Sequence, residues 1–227
     1  DAREIGADCY GLTDTAPDYP LALQIREAIR AASPGVRIIL GGSHCSMSPS
    51  RCDDGGWDAI VAGDGFTAAG QALRENGIIS ARFRGEILSV LNGLPLPARD
   101  LIDLKSYDFK VLGEPATSIF TIWGCANQCS FCSGRDVFSY RLMRWLSPER
   151  VLRELDSIYG TWGFRAYADF SDEWNLNRAK VLERCESIAN HHRKYLLRCF
   201  VKAEHLDDEV AQAMARASMA KNNPIFM

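Results

Sequence analysis

The sequence predicts an α/β protein made of two parallel-sheet domains in succession. Strand-type runs alternate with helix-type runs in both halves, and a stretch rich in Pro and Gly separates the halves. Alternation of this length is typical of βαβ units. We therefore expect a Rossmann-type domain over residues 1–92, a linker over 93–115, and the first part of a partial (β/α) barrel over 116–227.

The first half contains short β-branched runs that are followed by Gly or by apolar residues at helical spacing. Runs of this kind predict, in chain order, strand 8–13, helix 19–32, strand 36–40, strand 57–63, helix 66–77 and a hairpin over 81–90. Right-handed crossovers would place Thr13, Gly41 and Gly63 at one carboxyl edge of the sheet. Open α/β sheets bind ligands at that edge.

The second half repeats the alternation. Ser147 followed by Pro148 is a typical helix start. The runs predict, in chain order, strand 116–123, helix 147–160, strand 164–170, helix 177–192, strand 196–202, helix 206–218 and the start of a fourth strand at 224–227. The chain begins with Asp1 and ends on "NNPIFM". Both ends fall inside such patterns, which favours a piece of a longer protein.

Composition excludes several classes of function. Of 227 residues, 47% are hydrophobic, the net charge is −3, and no block of Lys and Arg stands out. We therefore expect no nucleic-acid partner. No apolar run reaches the roughly 18 residues of a membrane span, and the charged start is unlike a signal peptide. Without a secretory signal, the eight cysteines predict thiols in a reducing, cytoplasmic setting rather than a disulfide framework.

Three of the cysteines lie within the segment "FTIWGCANQCSFCSGRD", as Cys125, Cys129 and Cys132. Their spacing is C-x-x-x-C-x-x-C, and no fourth cysteine lies nearby. A structural zinc site uses four ligands, so three close thiols favour an iron–sulfur cluster with one open position. Two alternatives stay open: zinc completed by Cys185, Cys199 or a histidine, or no metal.

The loop resembles that of the radical S-adenosylmethionine (radical SAM) family, whose motif is C-x-x-x-C-x-aromatic-C. Cys125, Cys129, Phe131 and Cys132 match it position by position. The resemblance implies that the three thiolates hold a 4Fe–4S cluster and that Phe131 lies against the adenine of S-adenosylmethionine. One electron then splits that cofactor into a 5′-deoxyadenosyl radical, which abstracts hydrogen from the substrate. It further implies a cofactor contact at Asp172 or Glu173, although "SDEW" replaces the common Gly-Gly-Glu.

The first half resembles the flavodoxin-like, cobalamin-binding domain that precedes the barrel in class B radical SAM proteins. The matching stretches are "GADCYGLTDT", "RIILGGSH" and "DAIVAGDG". The resemblance implies that Thr13, Gly41 and Gly42 lie against the nucleotide tail of cobalamin. The Asp-x-His-x-x-Gly motif of that class is absent and would lie before Asp1. We expect His44, Cys45 and Cys52 to be ordinary loop residues.

Taken together, the resemblance implies a radical SAM enzyme that uses cobalamin to methylate an unactivated carbon, or to cyclise or rearrange a small molecule. Its electron donor would be a flavodoxin or ferredoxin, and no membrane is involved. No residue is assigned to catalysis. The alternatives are a radical SAM enzyme whose first domain does not bind cobalamin, and a zinc-stabilised α/β binding module.

Overall fold

A computed structural model of the chain describes residues 6–80, 91–137 and 139–218. Their contacts divide them into two units. The first comprises residues 6–80, 126–137 and 139–142, and the second comprises 91–125 and 143–218. Both units contain a largely parallel sheet with helices, which confirms the predicted α/β class. The hairpin expected over 81–90 and the strand expected at 224–227 lie outside the described residues.

The first unit contains a sheet of four parallel strands that neighbour one another in chain order. They are β1 (Cys9–Asp14), β2 (Arg37–Gly42), β3 (Ala59–Ala62) and β4 (Gly77–Ser80). The first three were predicted. β4 was not predicted, because its four residues carry only two apolar side chains and follow the end of a helical pattern.

Four helices accompany this sheet: α1 (Tyr19–Ala32), α2 (Ser43–Met47), α3 (Pro49–Cys52) and α4 (Gly65–Ala72). Ile38 and Leu40 of β2 point to one face, where they form a cluster with Ile29 of α1. Ile39 points to the other face and packs with Val61. The strand period of two therefore gives this sheet two hydrophobic faces, as in other α/β proteins.

The second unit contains a four-stranded sheet and a two-stranded ribbon. The sheet combines β5 (Lys110–Val111), β6 (Glu114–Ile119), β9 (Ala166–Asp169) and β10 (Leu196–Cys199) in the order β10-β9-β6-β5. β6, β9 and β10 are parallel, and β5 pairs with β6 in the antiparallel sense. The ribbon pairs β7 (Ile122–Trp123) with β8 (Arg144–Trp145).

Three helices follow the parallel strands: α5 (Pro148–Trp162), α6 (Arg178–Asn190) and α7 (Asp208–Ala217). Each begins after a capping residue whose side chain accepts a hydrogen bond from a first-turn N–H. These caps are Ser147, Asn177 and Asp207. The helices cover one face of the sheet through two hydrophobic clusters. Strand, helix and strand thus repeat as predicted for the first part of a (β/α) barrel.

No helix within the described residues is both long enough and apolar enough to cross a lipid bilayer.

Candidate cofactor site

The strand that leads into the cysteine loop is interrupted after β6. The sequence predicted a continuous strand over 116–123, but the Thr121 N–H donates instead to Asp169 Oδ1 (3.3 Å) and to Ser171 Oγ (3.0 Å). Asp169 is 2% exposed and also accepts from the Thr121 hydroxyl and from Trp174 Nε1 (2.9 Å). This buried network turns the chain out of the sheet and sets where the loop begins.

The cysteine loop leaves and returns through the ribbon of β7 and β8. Ile122 lies opposite Trp145, and Trp123 lies opposite Arg144. The Leu146 N–H also donates to the Thr121 carbonyl at 2.9 Å. The pairing therefore brings together, within the second unit, the two chain segments from which the cysteine loop leaves and to which it returns.

Asp172 binds the first residue of this loop. Its Oδ2 accepts the Gly124 N–H at 3.0 Å. Gly124 has φ +86°, a conformation that favours glycine, and the chain reverses there immediately before Cys125. Asp172 therefore contacts the residue that immediately precedes the first cysteine.

Glu173 lies in a different environment from its neighbour. It is buried, and its Oε1 accepts the N–H groups of Asn175 (3.4 Å) and Lys202 (3.2 Å). Burial raises the pKa of this carboxyl despite the two backbone hydrogen bonds. Glu173 thus connects the residues that follow β9 to those that follow β10.

The three loop thiols are half-buried, and the Cys132 N–H donates to the Cys129 carbonyl at 3.0 Å. The side chain of Phe131, between them, is 91% exposed. Cys185 and Cys199 differ, because both are packed among apolar side chains of α6 and α7. Burial raises the pKa of the Cys185 thiol to about 12 and raises that of Cys199 well above its usual value. Neither is placed as an accessible fourth ligand, which disfavours a zinc site completed by either of these two cysteines.

A row of phenylalanines crosses the sheet face opposite the helices. Phe120, Phe170 and Phe200 each follow the last residue of β6, β9 and β10 respectively. All three are partly exposed, with ring centroids 6.4 Å apart for Phe120 and Phe170 and 5.9 Å apart for Phe170 and Phe200. We call these three residues the phenylalanine row. They give this face of the second unit's sheet a partly exposed aromatic surface beside the strand ends.

In the first unit, the predicted cofactor residues lie at the carboxyl ends of neighbouring strands. Thr13 is opposite Gly41 in the register, and Asp14 is opposite Gly42. Thr13 is exposed, and a side chain at Gly41 would extend into open space, with Leu12 O at 4.0 Å as its nearest neighbour. Gly42 differs: it has φ +127°, and a Cβ there would lie 2.3 Å from the Asp14 carbonyl oxygen.

Ser46 joins the ends of β2 and β3 beside a cavity. Its hydroxyl donates to the Gly42 carbonyl at 2.5 Å and accepts the Gly63 N–H at 2.9 Å. The cavity has a volume of about 380 Å³. Its lining comprises strand-end and helix residues together with residues of the cysteine loop: Gly42, Ser43, Ser46, Met47, Gly63, Asp64, Cys132, Ser133, Gly134, Val137 and Tyr140. Gly42 is thus brought next to Cys132, whereas Thr13 and Gly41 do not line this cavity.

Four polar residues that shape these sites were not predicted from the sequence: Asp14, Ser46, Asp169 and Ser171. Asp14 and Asp169 are the last residues of their strands, and both are buried. These two residues could have been predicted, because a carboxylate at the carboxyl end of an apolar strand indicates a functional or structural role there. The role of Ser46 and Ser171 depends on contacts across 17 and up to 50 residues, for which the sequence carries no local signal.

Comparison with known proteins gives relatives in sequence but no matching family model. The chain is 23% identical over 233 residues to an uncharacterized methyltransferase of Pyrococcus horikoshii, covering 93% of this chain and 50% of the relative. It is 24% identical over 207 residues to the anaerobic magnesium-protoporphyrin IX monomethyl ester cyclase of Cereibacter sphaeroides, covering 82% of this chain and 34% of the relative. The chain therefore spans half or less of the length of these relatives.

Among solved structures, the fold resembles the radical S-adenosylmethionine methyltransferase TsrM from Kitasatospora setae, with a TM-score of 0.68 and 18% identity. The match covers 96% of this chain and 48% of TsrM, which was solved with its tryptophan substrate and a SAM analogue. A second TsrM structure contains cobalamin and a [4Fe–4S] cluster. At this identity the likeness concerns the fold, and it extends over both units of the chain.

Proposed function

Because the chain fits the class B radical SAM family in sequence and in fold, we propose that it belongs to an enzyme that cleaves S-adenosylmethionine at a 4Fe–4S cluster and also uses cobalamin. The reaction would be methyl transfer to an unactivated carbon, or a radical cyclisation or rearrangement. The substrate would be a small molecule.

The observation that carries this proposal is the position of the cysteine loop. Cys125, Cys129 and Cys132 follow the first strand of a parallel (β/α) sheet, at its carboxyl end. Ligand sites of (β/α) folds lie at that end. Three half-buried thiols fit a cluster with one open position, and the buried Cys185 and Cys199 leave that position to another ligand. When bound, the cluster supplies the one-electron chemistry that no side chain can provide.

The residues around the loop would orient the cofactors. Asp172 holds the Gly124 N–H and so fixes the chain just before the first thiolate. In the proposal, either Asp172 or Glu173 contacts S-adenosylmethionine. Asp172 is the better placed of the two, because it is exposed, whereas Glu173 is buried. Phe131 would cover the adenine, and its exposed ring has the free surface that stacking requires.

Cobalamin would bind at the carboxyl edge of the first sheet. Gly41 has no side chain to block a bulky ligand, and the hydroxyl of the exposed Thr13 could form a hydrogen bond with it. The cavity beside Gly42 is also lined by Cys132 and so adjoins the cysteine loop. This arrangement supports a cobalamin site close to the proposed cluster.

The phenylalanine row favours a substrate with an apolar or aromatic surface, since aromatic rings bind such surfaces through area and ring contacts. The proposal includes a flavodoxin or ferredoxin as electron donor. It also places the enzyme in the reducing cytoplasm, where none of the eight cysteines, all free of disulfides in the structure, would form one.

Anaerobic reconstitution with iron and sulfide tests the cluster directly. We expect the chain to gain the brown colour and the electron paramagnetic resonance signal of a 4Fe–4S cluster. Single changes of Cys125, Cys129 or Cys132 to Ala should abolish both, because two thiolates do not hold the cluster. Cys185→Ala is the matched control and should retain the full signal, since this thiol lies in a hydrophobic cluster.

Zinc in place of iron, or loss of the metal in Cys185→Ala, would contradict the proposal and support the zinc-stabilised module. A cobalamin titration then separates the two radical SAM alternatives. Binding that is weakened by Gly41→Trp, with the iron–sulfur signal unchanged, supports the cobalamin-dependent enzyme. A cluster-loaded chain that binds no cobalamin would instead support the enzyme whose first domain has another role.

A further inference from the structure

Asp14, His44 and Cys52 come together on the first unit, apart from the residues assigned to the proposed cofactors. Asp14 ends β1, His44 lies in α2, and Cys52 ends α3. One carboxylate oxygen, one imidazole nitrogen and the thiol sulfur all lie within 4.8 Å of one another. The expectation that His44 and Cys52 are ordinary loop residues is wrong, because both lie in short helices and Cys52 is fully buried.

The carboxylate of Asp14 lacks the partners that a buried charge needs. Asp14 is 2% exposed, and its Oδ1 accepts a long hydrogen bond, 3.4 Å, from the Cys45 N–H. Its Oδ2 is buried and has no hydrogen-bond partner among the described residues. An unpaired buried carboxylate is costly unless it is protonated or binds a cation. This orphaned oxygen is an observation independent of the clustering.

Neighbouring side chains hold two of the three groups in place. The Tyr19 ring lies against the His44 ring with centroids 5.1 Å apart, and the Tyr19 hydroxyl donates to the Cys52 carbonyl at 3.2 Å. The Cys45 thiol lies 3.4 Å from the Gly42 carbonyl and 3.5 Å from the Val61 carbonyl, and it also interacts with the Asp14 carboxylate, so it belongs to the surroundings of the group. His44 is half-buried, so the group has a route to solvent.

A second group of potential ligands does not share these properties. Asp156, His191 and His192 also cluster, but Asp156 Oδ1 is already bonded to His191 (3.0 Å), to Arg193 (2.8 Å) and to the Tyr195 hydroxyl. The Arg193 guanidinium supplies the positive charge there. Asp14 has no ion-pair partner of this kind among the described residues.

We propose that Asp14, His44 and Cys52 bind a divalent ion of the zinc type. A carboxylate, an imidazole and a thiolate are all ligands that Zn²⁺ accepts, and a water molecule would complete the four-coordinate site. The ion would connect residues 43–52 to the end of β1 and pair the Asp14 carboxylate. Because the Cys52 thiol must lose its proton to solvent on binding, the affinity should increase with pH.

The test uses the 227-residue chain with Cys125, Cys129 and Cys132 changed to Ala, so that the loop thiols cannot bind metal. Zn²⁺ is titrated in competition with a chromophoric chelator, and Cd²⁺ is titrated while thiolate charge-transfer absorption is recorded. We expect one equivalent of Zn²⁺ and one thiolate–Cd²⁺ band. Cys52→Ala should remove the band, and His44→Ala should weaken Zn²⁺ binding at least about tenfold.

Matched controls are Cys45→Ala, next to the site, and Cys185→Ala, in the second unit. Both should keep the band and the affinity. His44→Ala is the most informative variant, because its half-exposed side chain can be removed with little effect on folding, which circular dichroism verifies. The proposal is overturned by the absence of stoichiometric Zn²⁺ in the folded chain, by a band that survives Cys52→Ala, or by affinity unchanged in His44→Ala. The loop cysteines are absent throughout, so the result does not depend on the proposed cluster.

Discussion

At the scale of single residues, Gly42 shows how the end of one strand accommodates the end of the next. Its φ of +127° lies in the region that glycine alone adopts readily. The missing Cβ would overlap the backbone nitrogen and the carbonyl oxygen of Asp14, at 2.5 and 2.3 Å. Gly41, one residue earlier, has neither constraint, although both were assigned the same role from the sequence. The two glycines therefore serve different purposes.

We expect Gly42→Ala to lower the free energy of unfolding by about 2 kcal/mol or more, because backbone strain adds to overlap with atoms that cannot move away. Gly41→Ala is the matched control and should change it by less than about 0.5 kcal/mol. Urea denaturation followed by circular dichroism measures both values. A loss of stability in Gly42→Ala as small as that in Gly41→Ala would show that β1 can shift to admit a side chain.

At the scale of secondary-structure elements, Asp156 connects α5 to the segment between α6 and β10. His191, Arg193 and the Tyr195 hydroxyl all contact its Oδ1. Burial would raise the pKa of this carboxyl, but the three hydrogen bonds outweigh it and lower the pKa to about 2. The helix thus presents a carboxylate whose charge is stabilised in the folded state.

A lowered pKa makes part of the stability depend on pH. The contribution of Asp156 is fully present above the pKa of the unfolded chain, near 3.8, and is lost as the pH falls towards 2. Because the side chain is 30% exposed, we expect about 1 kcal/mol rather than the full value of the shift. Asp156→Asn should therefore be less stable than the parent at pH 6, and the difference should shrink below about pH 4.

Urea unfolding of both proteins at several pH values gives this difference. Glu186→Gln, on the exposed side of α6, is the control and should show no comparable trend. A deficit in Asp156→Asn that stays constant down to pH 3 would mean that its hydrogen bonds, rather than its charge, provide the stabilisation.

The limits of sequence reasoning follow from the range of the interactions. Helix α1 was predicted with both ends correct, because its start at Tyr19 and its stop at "SPG" are local signals. Ser147 was likewise predicted as a helix cap and is one. The break after Ile119 was not predicted, since it depends on Asp169 and Ser171, about 50 residues away. The family motif identified the cysteine loop, whereas the cluster around Asp14 depends on residues that only folding brings together.

At the scale of the whole molecule, each hydrophobic cluster is built from residues of one unit. Ile38 belongs to a cluster of the first unit, and Leu155 belongs to a cluster of the second. Both side chains are fully buried. A substitution that leaves a cavity at either position removes packing from the cluster of one unit. The loss of stability should therefore be confined to that unit.

We expect Ile38→Ala and Leu155→Ala each to cost about 2–4 kcal/mol in the unit that contains it. Hydrogen exchange measured by mass spectrometry should show faster exchange in β1–β3 for the first variant and in β6, β9 and α5 for the second. The variants act as controls for each other. If either substitution accelerated exchange equally throughout the described residues, the chain would unfold as a single cooperative body.

The position of the phenylalanine row also limits where codons can be inserted or deleted without disrupting the fold. Each ring directly follows the last residue of its strand. Ile119 and Cys199, immediately before two of the rings, belong to the clusters on the helix side, and Asp169 lines a cavity together with both of them. Side chains alternate along a strand, so a one-codon deletion within β9 would exchange the two sides. Phe170 would enter the helix-covered core, and Asp169 would move to the opposite face. Insertions and deletions should therefore be eliminated within the three strands, and equally in the residues directly after the rings, where Thr121, Ser171 and Asp172 are hydrogen-bonded.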